Sequence, residues 1–322
     1  NRRAMEADLP ALLASLNLTA SAWVHEFDDP REKLGPITLD NEALWQDLRD
    51  RYRRIFTETC PWLDGLVLTV SETSVNCTED ALLRKTVSVI NEVCSQHRKR
   101  LILRTFVHEP EELYQITRSL EGIPEEVAVM TKMVPQDWTL ADQTDPLIGK
   151  VGSRRQLIEL DICGEYWRGD MIPHFKGPWL TSHFAKWRAC GCAGLSVRVD
   201  RRQRPGAWWQ PQVRDYFLAG QPQEAELDVL ARGEPEAVTA AAHEWVRKWC
   251  RDEGAAAILA KALPATGEAL RVATNLRGYP FSITWTLVPA EWTMNRAHGP
   301  KAESRAIAYP DEDDAEYRSP WH

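Results

Sequence analysis

The residues best suited to chemistry lie in one short run, Glu165-Tyr166-Trp167-Arg168-Gly169-Asp170. Carboxylates move protons or attack carbon, aromatic rings lie flat on apolar ligand faces, and a guanidinium grips polar groups through paired bonds. Just upstream, Leu157, Ile158, Leu160 and Ile162 make an apolar stretch that predicts a buried parallel strand over 156–162. The run therefore stands at a strand's C-terminal end. An ordinary polar loop is the competing reading, so its weight depends on what the rest of the chain supplies.

Other strand ends carry similar groups. Glu72 closes the apolar segment 65–71, where shielding would let a carboxyl keep its proton near neutrality and act as a general acid. A salt-bridged strand end would look the same. Asp137 sits on a loop stiffened by Pro135 and bordered by Trp138, and a turn or helix-cap role is the alternative. Arg104 and Lys132 place charge inside apolar strand patterns, which requires either a buried partner or a ligand. Arg104 would clamp a carboxylate through two bonds, while Lys132 would offer a point charge or a hydroxyl contact. Two or three carboxylates around one mouth are the minimum for glycoside hydrolysis: one protonates the leaving oxygen, another activates water or attacks carbon. Trp138, Tyr166 and Trp167 would then be sugar-binding rings beside the candidate acids Glu72, Asp137 and Glu165. His25, His108 and His174, with Glu26 and Glu109 adjacent, allow a metal-dependent hydrolase as a lesser alternative. The chain lacks CxxC and HExxH, and Cys190-Gly191-Cys192 is too tight for a zinc knuckle. No metal or cofactor is expected.

The elements that must hold these groups alternate. Strands are predicted over 19–27, 66–70, 100–107, 127–133, 156–162 and 194–200. Helices are predicted over 4–16 (with Leu9, Leu12, Leu13 and Leu16 on one face), 41–59 (capped by Asp40), 79–97, 110–120 and 178–190. Such alternation means a parallel sheet. No GxGxxG follows the first strand, so dinucleotide binding has no support. A closed barrel would gather Glu26, Glu72, Arg104, His108, Asp137 and Glu165 at one mouth. The expectation is a (β/α)8 TIM barrel over 1–203, with its first two strands before Asn1. A mainly helical C-terminal domain is expected over 204–322, with helices at 237–250, 255–263 and 267–272.

Composition bounds the partners. The 322 residues carry a net charge of −8, which argues against nucleic acid. No apolar run approaches the ~18 residues of a membrane span. Fourteen tryptophans are the outlier, suited to a ligand face or to a Trp-rich core. Seven cysteines without framework spacing read as reduced thiols. The glycosylation patterns at Asn17 and Asn76 are short enough to arise by chance. A homodimer is compatible with all of this, as is a cytoplasmic or periplasmic location.

Four segments together resemble the α-glucuronidases that trim xylan. Ile158-Glu-Leu-Asp-Ile-Cys-Gly-Glu-Tyr166 is similar to that family's seventh barrel strand, whose Glu before Tyr is a catalytic carboxylate. Thr131-Lys-Met-Val-Pro-Gln-Asp-Trp138, with Asp145-Pro-Leu-Ile-Gly149 after it, resembles the sixth-strand segment, where the Lys binds sugar and the Asp is a second candidate base. Residues 65–72 resemble the fourth strand, ending in a general-acid Glu. Leu103-Arg-Thr-Phe-Val107 resembles the fifth, whose Arg meets the uronate, and residues 263–286 are loosely like its helical domain. The family's Lys about four residues before the general acid has no counterpart in Leu68-Thr69-Val70-Ser71. The resemblance thus implies the barrel and its acids, with a terminal sugar that need not be glucuronate. It implies an exo-acting glycoside hydrolase on an oligosaccharide or polysaccharide-derived substrate, with Glu72 as acid, Asp137 and Glu165 activating water, and inversion. A retaining enzyme with Glu165 as nucleophile, and a non-catalytic carbohydrate-binding barrel, are the alternatives.

Overall fold

The computed structural model describes residues 2–27, 34–69, 79–106, 110–133, 145–161, 175–198, 229, 231–234, 237–248, 250–276 and 279–280. Six strands form one parallel sheet in sequence order: β1 (Ser21–His25), β2 (Gly65–Thr69), β3 (Arg100–Thr105), β4 (Ala128–Lys132), β5 (Gln156–Asp161) and β6 (Gly194–Arg198). All six expected strands are present. The chain divides into two compact units, one of residues 1–131 with 151–157 and one of 132–150 with 158–322.

In the first unit the helices are α1 (Arg2–Ser15), α2 (Glu42–Arg54), α3 (Asp80–Gln96) and α4 (Pro110–Leu120). The apolar row of α2 reads directly from sequence: Leu44, Leu48 and Tyr52 are buried, and Trp45 joins them. Phe27 stands edge-on to Trp45, with ring centroids 6.2 Å apart. Both are wholly buried, and each such side chain contributes about 1.5–3 kcal/mol by leaving water. Phe27 reaches that position with φ at 65°, a conformation costly for a bulky residue, so the chain turns sharply inward just after β1. Past Arg54 the helix widens into a π turn, Ile55–Thr59, closed by Cys60 N–H donating to the Ile55 carbonyl at 2.8 Å.

The cap of α2 is Asn41 rather than Asp40. The Asn41 Oδ1 accepts from Leu44 N–H at 3.3 Å, while its Nδ2 donates to the carbonyls of Leu34 and Pro36 at 2.7 and 2.8 Å. An aspartate could accept but could not donate, and only an amide joins the helix start to the preceding loop. Along α1 and just after it, Leu9, Leu12 and Leu16 are 36%, 53% and 56% exposed.

Opposite residues in a parallel ladder face the same side. His25 pairs with Thr69, Thr69 with Arg104, and Arg104 with Met130, so these four share one side. Leu68, Leu103 and Val129 share the other. Gly65 opens β2 where a Cβ would stand 2.4 Å from the Arg100 carbonyl oxygen, so only glycine lets the two strands start this close. Beyond α4, the Arg154 guanidinium donates to the Leu120 carbonyl at 2.6 Å and to that of Ile123, capping a helix C-terminus with positive charge.

In the second unit, α5 (Gly177–Ala189) buries Leu180 and Trp187 against Met133, Ile148, Ile158 and Leu160. A separate core joins Phe175 to α6 (Ala237–Arg247) and α7 (Glu253–Thr274) through Trp245, Val246, Ala256, Ala260 and Leu263. The sequence predicts two helices on either side of Pro264, and the structure has one continuous α7. Proline removes one backbone donor there. Just past it, the Thr266 hydroxyl donates to the Leu263 carbonyl at 2.6 Å and accepts from Phe175 N–H at 3.1 Å. A two-residue antiparallel ladder, β7 (Asn275–Leu276) with β8 (Tyr279–Pro280), completes the described structure.

Candidate functional site

Of the expected site residues, Arg104 and Lys132 fall within the described structure. Glu72, Asp137, Trp138, Glu165, Tyr166 and Trp167 lie outside the described residues, as do His108 and His174. No group of three or more His, Cys, Asp or Glu fit to hold a metal ion occurs among the described residues.

In the first unit, Arg104 ends an apolar strand and is only 2% exposed. Its guanidinium carbon lies 4.7 Å from the ring centroid of Trp23 and 4.9 Å from that of Phe106. The electron-rich faces of two rings stabilise a cation that has lost most of its water. Trp23 is held in turn by its indole N–H, which donates to the Thr69 hydroxyl at 3.0 Å. Trp23 is 39% exposed, so this stack joins a partly exposed ring to a buried cation. That combination suits a ligand with an apolar ring face and an anionic or hydroxyl-rich edge.

A buried carboxylate belongs to the same unit. Tyr52 donates its hydroxyl to Glu26 Oε2 at 2.7 Å, and Arg51 Nη2 lies 3.0 Å from Oε1 in an ion pair short of hydrogen-bond alignment. Burial, and then the Glu26 carboxylate, push the Tyr52 phenol well above its usual range. Glu26 therefore reaches toward α2. It ties the end of β1 to that helix.

In the second unit, Lys132 and Glu159 are 2% and 0% exposed, with Nζ 3.9 Å from Oε1. Of the two readings open for Lys132, a buried partner and a ligand contact, the first is present. Nearby in sequence, Asp145 begins a turn in which its Oδ1 accepts from Leu147 N–H at 2.8 Å. Its other oxygen is buried with no hydrogen-bond partner among the described residues. Burial pushes this carboxyl up to about 7, against the downward pull of the Leu147 bond. The turn is tight: Gly149 has φ of 76°, and a Cβ there would lie 3.2 Å from Cys190.

No family model matches the chain, and no curated protein matches it. Among solved structures, it is similar to a xylose isomerase-like TIM barrel/4-hydroxyphenylpyruvate dioxygenase fusion protein, at 12% identity and a TM-score of 0.41. The match covers 75% of this chain and 36% of that protein, so the chain spans about a third of its length. A likeness so shallow carries neither an activity nor a closed barrel across.

Several polar groups escaped the sequence reading. Glu159 is a charged residue in an apolar strand, the same signal that singled out Arg104 and Lys132, and could have been found by it. Tyr52 reads as one more apolar residue in the α2 row, and Asp145 before Pro146 reads as a turn. Nothing local marks either as buried and polar. Phe106 follows Arg104 by two residues, the spacing that puts side chains on one side of a strand, while Trp23 on β1 becomes a partner only through the strand register.

Proposed function

We propose that this chain is an exo-acting glycoside hydrolase of α-glucuronidase-like type, removing a terminal sugar, a uronic acid among the candidates, by inverting acid/base hydrolysis. In this reading the sheet belongs to a (β/α)8 barrel followed by a helical C-terminal domain. Glu72 protonates the glycosidic oxygen. Asp137 and Glu165 activate water on the opposite face, with carboxyl separations of ~6.5–9.5 Å. Arg104 takes a substrate carboxylate, Lys132 a hydroxyl, and Trp138, Tyr166 and Trp167 stack on the sugar.

The observation that supports the reading best is Arg104. The sequence singles it out as a carboxylate clamp, and it is a buried guanidinium between two rings, one of them partly exposed.

The test is hydrolysis of 4-nitrophenyl glycosides and of aldouronic oligosaccharides, with the first-released anomer followed by NMR. Turnover with inversion, lost in Glu72→Gln and Glu165→Gln, is the expected result. A retained anomer would replace inversion with a Glu165 nucleophile ~5–5.5 Å from Glu72. Sugar binding without turnover in the wild type would make this a carbohydrate-binding protein.

A further inference from the structure

The run Cys190-Gly191-Cys192, too tight for a zinc knuckle, is built into the end of α5. Gly191 N–H donates to the Arg188 carbonyl at 3.0 Å, and Cys192 N–H to the Trp187 carbonyl at 3.1 Å. These are the two reverse bonds of a Schellman turn, with Gly191 left-handed at φ of 79°. A left-handed residue mirrors a helical one, so the Cα atoms on either side of it stand about 5.4 Å apart, as in a helix. Disulfide-bonded cysteines have Cα atoms ~4.4–6.8 Å apart. The turn therefore holds Cys190 and Cys192 within bridging reach, and both thiols are reduced. Burial, and then the nearby Cys190, push the Cys192 thiol up, so the two groups feel each other.

The turn is open to solvent. Cys190 is exposed and Cys192 half-buried, and a Cβ at Gly191 would meet nothing within 4 Å. Cys192 packs against the core that holds Trp187. Lys186 lies one turn before Cys190, Arg188 shares that last turn of α5, and both are exposed. They give the approach a positive charge that suits a small disulfide bearing carboxylates.

We propose that Cys190 and Cys192 are a reversible oxidation site, a dithiol that low-molecular-weight disulfides such as glutathione disulfide convert to a Cys190–Cys192 disulfide. The exposed Cys190 gives up its proton, and its sulfur attacks one sulfur of the small disulfide. One thiolate is expelled and a mixed disulfide remains. The Cys192 sulfur, having lost its own proton, then attacks Cys190 Sγ and expels the second thiolate. Two protein thiols lose two electrons and two protons, and the small disulfide gains them as two thiols. The order follows from access: the solvent-facing sulfur is met first, and the half-buried one resolves. Closing the bridge draws Cys192 off its core contacts, so the disulfide is labile and reduced glutathione reverses it. The inference is independent of the glycosidase reading.

In the experiment the full chain is reduced, freed of reductant, incubated with glutathione disulfide, quenched in acid, alkylated and digested with trypsin. Cleavage after Arg188 and Arg198 releases both cysteines in one peptide, 189–198. Wild type is expected to yield that peptide unalkylated and two hydrogens lighter than its dithiol form. Cys192→Ser is expected to stop with glutathione bound to Cys190. Cys190→Ser is expected to react at Cys192 at least tenfold more slowly than Cys192→Ser does at Cys190. Excess reduced glutathione is expected to restore both alkylatable thiols in wild type. A wild-type peptide that stays fully alkylated, that keeps glutathione on Cys190, or that is joined to another cysteine would overturn the proposal. A bridge that resists reduced glutathione would overturn its reversibility, and equal rates in the two serine variants would overturn the order of attack. The wild-type result needs no variant, so it decides the proposal whether or not either serine variant folds.

Discussion

Replacing Tyr52 by Phe removes one oxygen from the core and little else. That oxygen donates to Glu26 Oε2 at 2.7 Å, and Glu26 is 2% exposed. A hydrogen bond to a buried charged group is worth about 1.5–3 kcal/mol. Arg51 also faces Glu26, but its Nη2, though 3.0 Å from Oε1, is misaligned and makes no hydrogen bond. The phenol is thus a hydrogen-bonded anchor between the end of β1 and α2. Tyr52→Phe should cost about 2 kcal/mol, roughly thirtyfold in the unfolding constant. Glu26→Gln keeps an acceptor and should cost less, about 1 kcal/mol. The double variant should lose less than the sum of the two. Urea unfolding at pH 7, followed by far-ultraviolet circular dichroism, measures all three. A Tyr52→Phe variant within about 0.5 kcal/mol of wild type would refute the reasoning, because the bond would then be exchanging evenly with water. The alkaline limb gives an independent check. The folded phenol titrates above the unfolded one, so its stabilising contribution is complete below pH ~10 and is lost as pH rises beyond it. Tyr52→Phe should flatten that limb.

Asp145 makes stability fall in the opposite part of the scale. Its carboxyl ionises at 3.8 when unfolded and at about 7 when folded, so its contribution is full below 3.8 and lost between there and pH 7. Asp145→Asn should match wild type near pH 3.5 and exceed it by up to about 4 kcal/mol at pH 8, read from unfolding at both values. Gly65→Ala drives a Cβ into the Arg100 carbonyl at 2.4 Å and should cost about 1–3 kcal/mol, measured by thermal unfolding. Arg104→Lys keeps the charge but loses the plane that lies between Trp23 and Phe106. It should lower stability by about 2 kcal/mol and, on the proposed reading, reduce kcat/KM on a uronic substrate by at least tenfold.

Much of the architecture is legible in the chain because it rests on periodicity. Leu44, Leu48 and Tyr52 repeat at helical spacing, and the runs around Leu66 and Leu101 are too apolar to face water. What escapes is decided by single atoms. Asn41 outcompetes Asp40 as a cap because it donates as well as accepts, and no pattern of apolar residues records that. Pro264 marks a helix break by its own chemistry, yet α7 runs through it, and its Thr266 is bonded to Leu263 and Phe175. At the candidate site, Arg104 and Lys132 show themselves as charges out of place in strands. Glu159 lies beside Lys132, and the rings of Trp23 and Phe106 lie beside Arg104. Register makes that difference, and register comes from pairing across the sheet.

The exposed leucines in and just after α1 bear on how this protein behaves in solution. Leu12, Leu16 and Leu18 are each more than half exposed, an apolar row of the kind that makes molecules adhere. At pH 7 the net charge of −8 holds copies apart. Near the isoelectric point of about 5.6 that repulsion vanishes while the leucines remain. Colloidal stability and folding stability then pull toward opposite ends of the pH scale. Acidification relieves Asp145, and the same change invites the molecules to associate.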